Sequence, residues 1–224
     1  MKSYPKIPHF NQGPFDRNCY AFQKYDGSNF RAEWGKKRGW YKYGTRNVMV
    51  DKNTPIYGEA IDIFLNKYGQ NLDDIFRKEY KSVENFVVFG EFFGPNSFAG
   101  KHIDTESKDI IIFDVNRYRK GLLSPDEFVD KFGHLDIPKI IYKGIYNYEL
   151  INDVKSNKYG LSEGVVCKGV LKTKKGGEEV WATKIKTNEW IRKVKLLYGE
   201  KALMEEFNND LQMMKEYEYE TTSN

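Results

Sequence analysis

Short apolar runs with strand character recur along this chain without helices regularly placed between them, and that order constrains the fold more than any other feature. Phe86 to Gly94 reads FVVFGEFFG and Asp109 to Val115 reads DIIIFDV, both with the length and the β-branched or aromatic content of buried strands. Cys19 to Lys24 and Asn29 to Trp34 flank an Asp26-Gly27 turn signal and are expected to pair as a hairpin. Strand alternation puts Tyr20, Phe22 and Lys24 on one face of the first arm, and Phe30, Ala32 and Trp34 on one face of the second. A second hairpin is expected between Val165–Leu171 and Val180–Ile185, joined by KTKKGGEE. Helices are fewer. An apolar stripe runs through Tyr57, Ile61, Phe64, Leu65 and Tyr68. Ser124 opens another helix as N-cap, with Pro125 in the first turn and Glu127 three residues on. From Trp190 onwards Val194, Leu197, Leu203, Phe207, Leu211 and Met214 keep helical spacing. No βαβ rhythm emerges, which argues against a doubly wound parallel sheet and for an α+β fold with mostly antiparallel sheets flanked by helices.

The chain has 224 residues, enough for one sizeable domain and a small appendage. The expected division is a body over residues 1–190 and a helical extension over 191–224 that ends in an acidic tail. No run approaches the roughly 18 apolar residues of a membrane-spanning helix, and MKSYPKIPHF is too polar for a signal-peptide apolar region. Lys and Arg number 36 against 32 Asp and Glu, a net charge of +4. Lys201 to Asn224 hold two Lys and six acids, so the preceding 200 residues carry +8. A basic body of this kind suits a polyanionic partner such as nucleic acid or nucleotide phosphates. Cys19 and Cys167 lack metal-ligand spacing and cannot staple a domain this large, which fits a reducing, cytoplasmic setting. The three histidines, His9, His102 and His134, are scattered, so neither a zinc site nor a catalytic triad is legible.

Five patches carry chemically telling residues, and each has a bland reading beside the functional one. Lys24 ends a strand beside the Asp26-Gly27 turn, where a ligand can reach it or where it is merely solvated. Glu163 and Gly164 stand at the mouth of a Val-rich strand, as a functional acid or as a charged strand end. Lys184 and Lys186 share one strand face with Ile185 turned away; two ammonium groups there repel unless an anion lies between them, and the bland reading is a solvated strand face. Glu91 lies in an aromatic strand, and a carboxylate buried there needs a partner: a ligand hydroxyl, a metal or an arginine. Phe113 precedes Asp114 at the end of an apolar run and is placed either to stack on a base or to fill the core.

Taken in order, KYDGSNFR, FGEFFG, IIIFDV, EGVVCK and KIK resemble the motif series of the covalent nucleotidyltransferases, which comprise ATP-dependent RNA and DNA ligases and mRNA capping enzymes. The resemblance spans about residues 20 to 190 and is strongest to phage-type ATP-dependent RNA ligases of the nick-sealing class. It implies the ligase adenylation-domain fold. It also implies that Lys24 forms a covalent lysyl-AMP, that Arg46 contacts ribose or the reactive phosphate, that Glu91 holds the ribose and that Phe113 stacks on adenine. By the same resemblance Glu163 is the metal-associated acid, and Lys184 and Lys186 grip the α-phosphate. Lys168 is expected at the nucleotide too, and Asp26 mainly shapes the turn. The implied cofactors are ATP and Mg²⁺ or Mn²⁺.

The expected function is therefore an ATP-dependent polynucleotide ligase acting as a monomer on RNA, at nicked duplexes or free ends, with no membrane partner. Lysine suits the chemistry because its phosphoramidate resists water yet breaks once protonated, and neighbouring cations help it lose a proton that its free pKa of about 10.4 would retain. Only 38 residues follow Lys186, too few for the OB-fold domain of DNA ligases and capping enzymes. A minimal DNA ligase, a capping-type guanylyltransferase and a non-catalytic nucleic-acid-binding protein on a ligase scaffold stay open as alternatives. His102 and Cys167 read as packing residues, and the acidic tail as a disordered end, a regulatory flap or a solubility feature.

Overall fold

The computed structural model describes residues 2–207 and residue 217. In chain order, after a single turn of 3-10 helix at Phe10–Gln12, the elements are β1 (Asn18–Lys24), β2 (Ser28–Gly35), β3 (Gly39–Thr45), β4 (Met49–Val50), α1 (Gly58–Phe64), α2 (Gln70–Glu79), β5 (Asn85–Phe93), β6 (Asp109–Arg117), β7 (Gly121–Leu122), α3 (Pro125–Phe132), β8 (Ile140–Ile145), α4 (Tyr148–Lys155), β9 (Gly164–Lys172), β10 (Glu178–Lys186) and α5 (Asn188–Glu206). They divide into two compact units, each discontinuous in sequence: Met1–Lys6, Tyr25–Pro138 and Val170–Val180 form one, and Ile7–Lys24, Lys139–Gly169 and Trp181–Asn224 form the other.

The first unit is built on a six-stranded antiparallel sheet of order β4-β3-β2-β5-β6-β7. One face packs on α1, α2 and α3. Phe30, Ala32 and Trp34 of β2 share that core with Phe86, Val88 and Phe92 of β5 and with Phe64, Tyr68, Phe76 and Phe132 of the helical segments. The stripe from Tyr57 to Tyr68 is helical as its spacing predicts, although its last turn widens to a π-helix at Leu65–Gly69. Ser124 caps α3 as expected, its hydroxyl accepting the Glu127 N–H at 3.1 Å. The second unit holds a four-stranded sheet of order β10-β9-β1-β8 with α4 and α5. Its core includes Ala21, Tyr146, Val154, Val165, Cys167, Ile185 and Trp190. Adjacent β9 and β10 are the expected second hairpin.

The expected first hairpin does not form. β1 and β2 exist where the pattern places them, but β1 is flanked by β8 and β9 while β2 is flanked by β3 and β5. Asp-Gly propensity turns the chain locally but does not choose a strand's partner; burial on both edges does. The side chain of Asp26 accepts the backbone N–H groups of Ala99 at 2.8 Å and Gly100 at 3.1 Å, so it ties down the loop after β5 rather than a two-residue turn. The helical stripe of α5 is also interrupted. Trp190 and Val194 are buried, but Leu197 is 54% exposed; beyond it Gly199 at φ 78°, ψ 180° leaves the helical path, and Leu203 and Phe207 bury again. Leu211, Met214 and the acidic tail lie outside the described residues.

Candidate active site

In the second unit, strand pairing assembles the charged centre. Lys24, the last residue of β1, is the register partner of Gly164, the first of β9, so Glu163 arrives beside it. Lys24 Nζ donates to Glu163 Oε2 at 2.9 Å, and Lys186 Nζ lies 2.7 Å from Glu163 Oε1. Gly164 is what lets β9 start here: a Cβ would collide with the Ile185 carbonyl oxygen and sit 2.8 Å from Lys186 Cα. Along β10 the alternation holds, with Ile185 wholly buried and Lys184 and Lys186 together on the other face. Lys186 Nζ is 3.3 Å from the centroid of the Trp190 ring, which the first turn of α5 supplies under the Thr187 cap. Lys168 is buried on β9, opposite Tyr20 and 5.3 Å from the Phe22 ring centroid.

The charges are strongly coupled. Burial by itself would raise the Glu163 pKa, but the ammonium groups of Lys186 and Lys24 outweigh it and hold the carboxyl below its ordinary value. Lys184 is pulled down by burial and by Lys186, against the opposing carboxylate of Glu206. Glu206 Oε1 receives Lys184 Nζ at 2.8 Å and lies 3.1 Å from Lys186 Nζ. No site role for Glu206 follows from the acidic end of the sequence read as bulk charge. Its one sequence signal is position, three residues after Leu203 and one before Phe207, on a turn that buries.

In the first unit, the sheet face away from the aromatic core carries the other candidates. Glu91 is the register partner of Asn29 on β2 and Ile111 on β6. The pairing of β5 with β6 slips between Phe89 and Gly90, where Asp114 and Ile112 are successive partners, leaving Phe113 as the extra residue of a bulge. That bulge is why Ile110, Ile112 and Val115 all reach the core while Asp114 takes a hydrogen bond from the buried Tyr4 hydroxyl. Tyr4 packs edge-on against Phe113 and Phe89, centroids 5.0 Å apart in each case. Arg46 follows β3 at the surface, its carbonyl accepting the Ser3 hydroxyl at 3.3 Å, and the Arg31 guanidinium donates to the same Ser3 hydroxyl at 2.6 Å. His102 lies 2.9 Å from the Ser28 hydroxyl and edge-on to Tyr57.

Of the expected site residues, Lys24, Glu163, Lys184 and Lys186 thus meet in one cluster with Lys168 nearby on β9, while Arg46, Glu91 and Phe113 belong to the other unit. Glu206 and Tyr4 were not anticipated. A lone carboxylate at a helix end and an aromatic in the first few residues carry no spacing that would mark them.

The sequence profile of the RNA ligase family matches residues 17–186, three quarters of the chain, and the chain belongs to that family. No curated protein sequence matches it. Among solved structures, an RNA ligase of Naegleria gruberi with ATP and Mn superposes with a TM-score of 0.59 at 15% identity, covering 85% of this chain and 58% of that one. An archaeal ATP-dependent RNA ligase does so in two forms, each with a TM-score of 0.59. The first is 17% identical, covering 88% of this chain and 51% of that one; the second is 16% identical, covering 98% and 62%. The fold is the α+β nucleotidyltransferase fold of these ligases, and the chain spans between half and two thirds of their length. Among the described residues no helix is long and apolar enough to cross a membrane.

Proposed function

We propose that this protein is an ATP-dependent RNA ligase that joins 5′-phosphate to 3′-hydroxyl ends through a lysyl-AMP at Lys24. The observation that carries the reading is the Lys24–Glu163–Lys186 cluster: a strand-end amine held by a buried carboxylate, with Lys186 on the other carboxylate oxygen and Lys184 one alternation away. Lys24 Nζ attacks the α-phosphorus of ATP, the bond to the bridging oxygen breaks and pyrophosphate leaves. AMP then passes from Lys24 to the 5′-phosphate oxygen of an RNA end, and a 3′-hydroxyl displaces it to form the phosphodiester. Lys184 and Lys186 offset the charge that builds on the α-phosphate oxygens. Glu91 and Phe113 serve the ribose and the adenine, Arg46 the ribose or phosphate, and Lys168 the nucleotide.

Glu163 fits a divalent cation. It is a hard oxygen donor whose two oxygens are held by Lys24 and Lys186, so an ion would take the place of one ammonium group on the carboxylate; no cluster of three or more acids, histidines or cysteines stands among the described residues. A Mg²⁺ or Mn²⁺ ion held there would take its remaining ligands from phosphate and water and would offset phosphate charge. Cys19 and Cys167, both buried and unlinked, suit a reducing cytoplasm. We also take the working form to be a monomer.

Incubation with α-labelled ATP and Mg²⁺ should transfer label to the protein, and Lys24→Ala should abolish it. A Lys24→Ala protein that labels as well as wild type refutes the assignment. Nicked duplexes with RNA or DNA on the 3′-hydroxyl side then compare the two substrates, with RNA expected to be sealed faster.

A further inference from the structure

The lysine pair of β10 already holds an anion in this structure, and it is part of the chain. Glu206 Oε1 is 2.8 Å from Lys184 Nζ and 3.1 Å from Lys186 Nζ, so one carboxylate oxygen stands where two ammonium groups converge, as a phosphate oxygen would. These ion pairs are largely shut from water: the side chains are 21%, 16% and 3% exposed for Glu206, Lys184 and Lys186. Burial alone would keep the Glu206 proton on, yet Lys186 and Lys184 bring its pKa down to about 2, so the group is an anion at any neutral pH.

The segment that presents Glu206 is both anchored and jointed. Beyond the helix, Phe207 packs on the His9 ring with centroids 5.1 Å apart, and His9 Nε2 donates to the Glu206 carbonyl at 3.1 Å. Leu203 and Phe207 are fully buried. At the other end Gly199 leaves the helical path with φ 78°, a conformation only glycine adopts without strain, and nothing lies within 4 Å of the place its Cβ would occupy. A short lever therefore runs from an open glycine joint to the carboxylate.

We propose that Glu206 is an internal occupant of the Lys184/Lys186 phosphate grip, a latch that the polyphosphate of the nucleotide must displace by moving residues 200–207 about Gly199. The proposal rests on the reading of these two lysines as phosphate ligands. A phosphate oxygen entering beside Glu206 meets a like charge at hydrogen-bond range. With Glu206 withdrawn, Lys184 and Lys186 lose a shared anionic partner, while Glu163 still holds Lys24 and Lys186. The latch thus lowers the affinity of the resting site for polyanions and couples its filling to release of the end of α5. If Glu206 instead held the lysines in a productive pose, its removal would weaken anion binding, the opposite sign.

The test is calorimetric titration of the full chain with tripolyphosphate. Glu206→Gln should bind about tenfold more tightly than wild type, about 1.4 kcal/mol, while Glu205→Gln, the same charge change at an exposed neighbour, should match wild type. Equal or weaker binding by Glu206→Gln, the same gain in both variants, or no binding by any of the proteins overturns the latch. Hydrogen exchange of wild type needs no variant: peptides covering 200–207 should exchange faster with tripolyphosphate bound, and unchanged or slower exchange overturns the proposal even if Glu206→Gln fails to fold. Self-labelling from ATP is scored separately. A chain that shows the tripolyphosphate difference but never labels sinks the ligase reading and leaves the latch standing.

Discussion

Replacing Glu163 by alanine removes the carboxylate that Lys24 and Lys186 share, and the structure sets the size of the effect. Glu163 is 2% exposed, with Lys24 at 2.9 Å and Lys186 at 2.7 Å. Removing one member of a buried ion pair costs about 3–5 kcal/mol, because the remaining charge stays out of water without compensation. Two features place this case at the lower end. Lys186 retains Glu206 at 3.1 Å, and Lys24 is 21% exposed and can recover part of its hydration. The expected loss is therefore about 3 kcal/mol, and at about 2–4 °C per kcal/mol for a chain of this size the melting temperature should fall by about 6–12 °C. Scanning calorimetry at pH 7 and low salt measures it. A double-mutant cycle with Lys24→Ala isolates the pair: the double variant should be more stable than the two single losses added together, by more than about 0.5 kcal/mol. An unchanged melting temperature for Glu163→Ala, or strict additivity in the cycle, would refute the claim that this carboxylate organises the cluster.

Three further outcomes follow from the same geometry. Gly164→Ala drives a methyl group into the Ile185 carbonyl and should cost about 1–3 kcal/mol in urea unfolding, with self-labelling reduced because Glu163 moves with it. Asp26→Ala strips the acceptor from two loop N–H groups and should cost about 1–3 kcal/mol, with faster hydrogen exchange at Ala99 and Gly100; protection equal to wild type there argues against the tether. Glu206 has a depressed pKa, so the stability it contributes is fully present above its unfolded value of about 4.3 and disappears as pH falls toward about 2. The full shift corresponds to about 3 kcal/mol, an upper limit, since Lys184 is itself pulled down by burial and by Lys186. Wild type should therefore exceed Glu206→Gln in stability at pH 6, and the two acid-unfolding curves should converge between pH 4 and pH 2.

Much of the local structure was legible because local rules decide it. Alternation marked β1 and β2, the length and β-branched or aromatic content of apolar runs marked β5 and β6, helical spacing marked α1, and the Ser124 cap with Pro125 fixed the start of α3. The ordered motifs carried Lys24, Glu163, Lys184 and Lys186 ahead of any coordinates, and these four do cluster. What was misread depends on distant parts of the chain. The Asp26-Gly27 signal marked the break between β1 and β2, but hairpin pairing required knowing that β8 and β9 would occupy both edges of β1. The even spacing of α5 hid the break at Gly199, since a glycine in a helical pattern looks like a minor cost until its φ is known.

The sequence alone marked β1, β2, β5, β6, β9 and β10, the faces of β1, β2 and β10 and the charged groups a ligase reading calls on, because side-chain period and motif order are properties of neighbours along the chain. Tertiary structure alone decided who pairs with whom. It set β1 between β8 and β9, turned Phe113 out on a bulge, put Tyr4 against it, and brought Glu206 back onto Lys184 and Lys186. The physical reason is that these contacts join residues remote in sequence, and their free energy comes from burial and charge compensation that exist only once the sheets have closed.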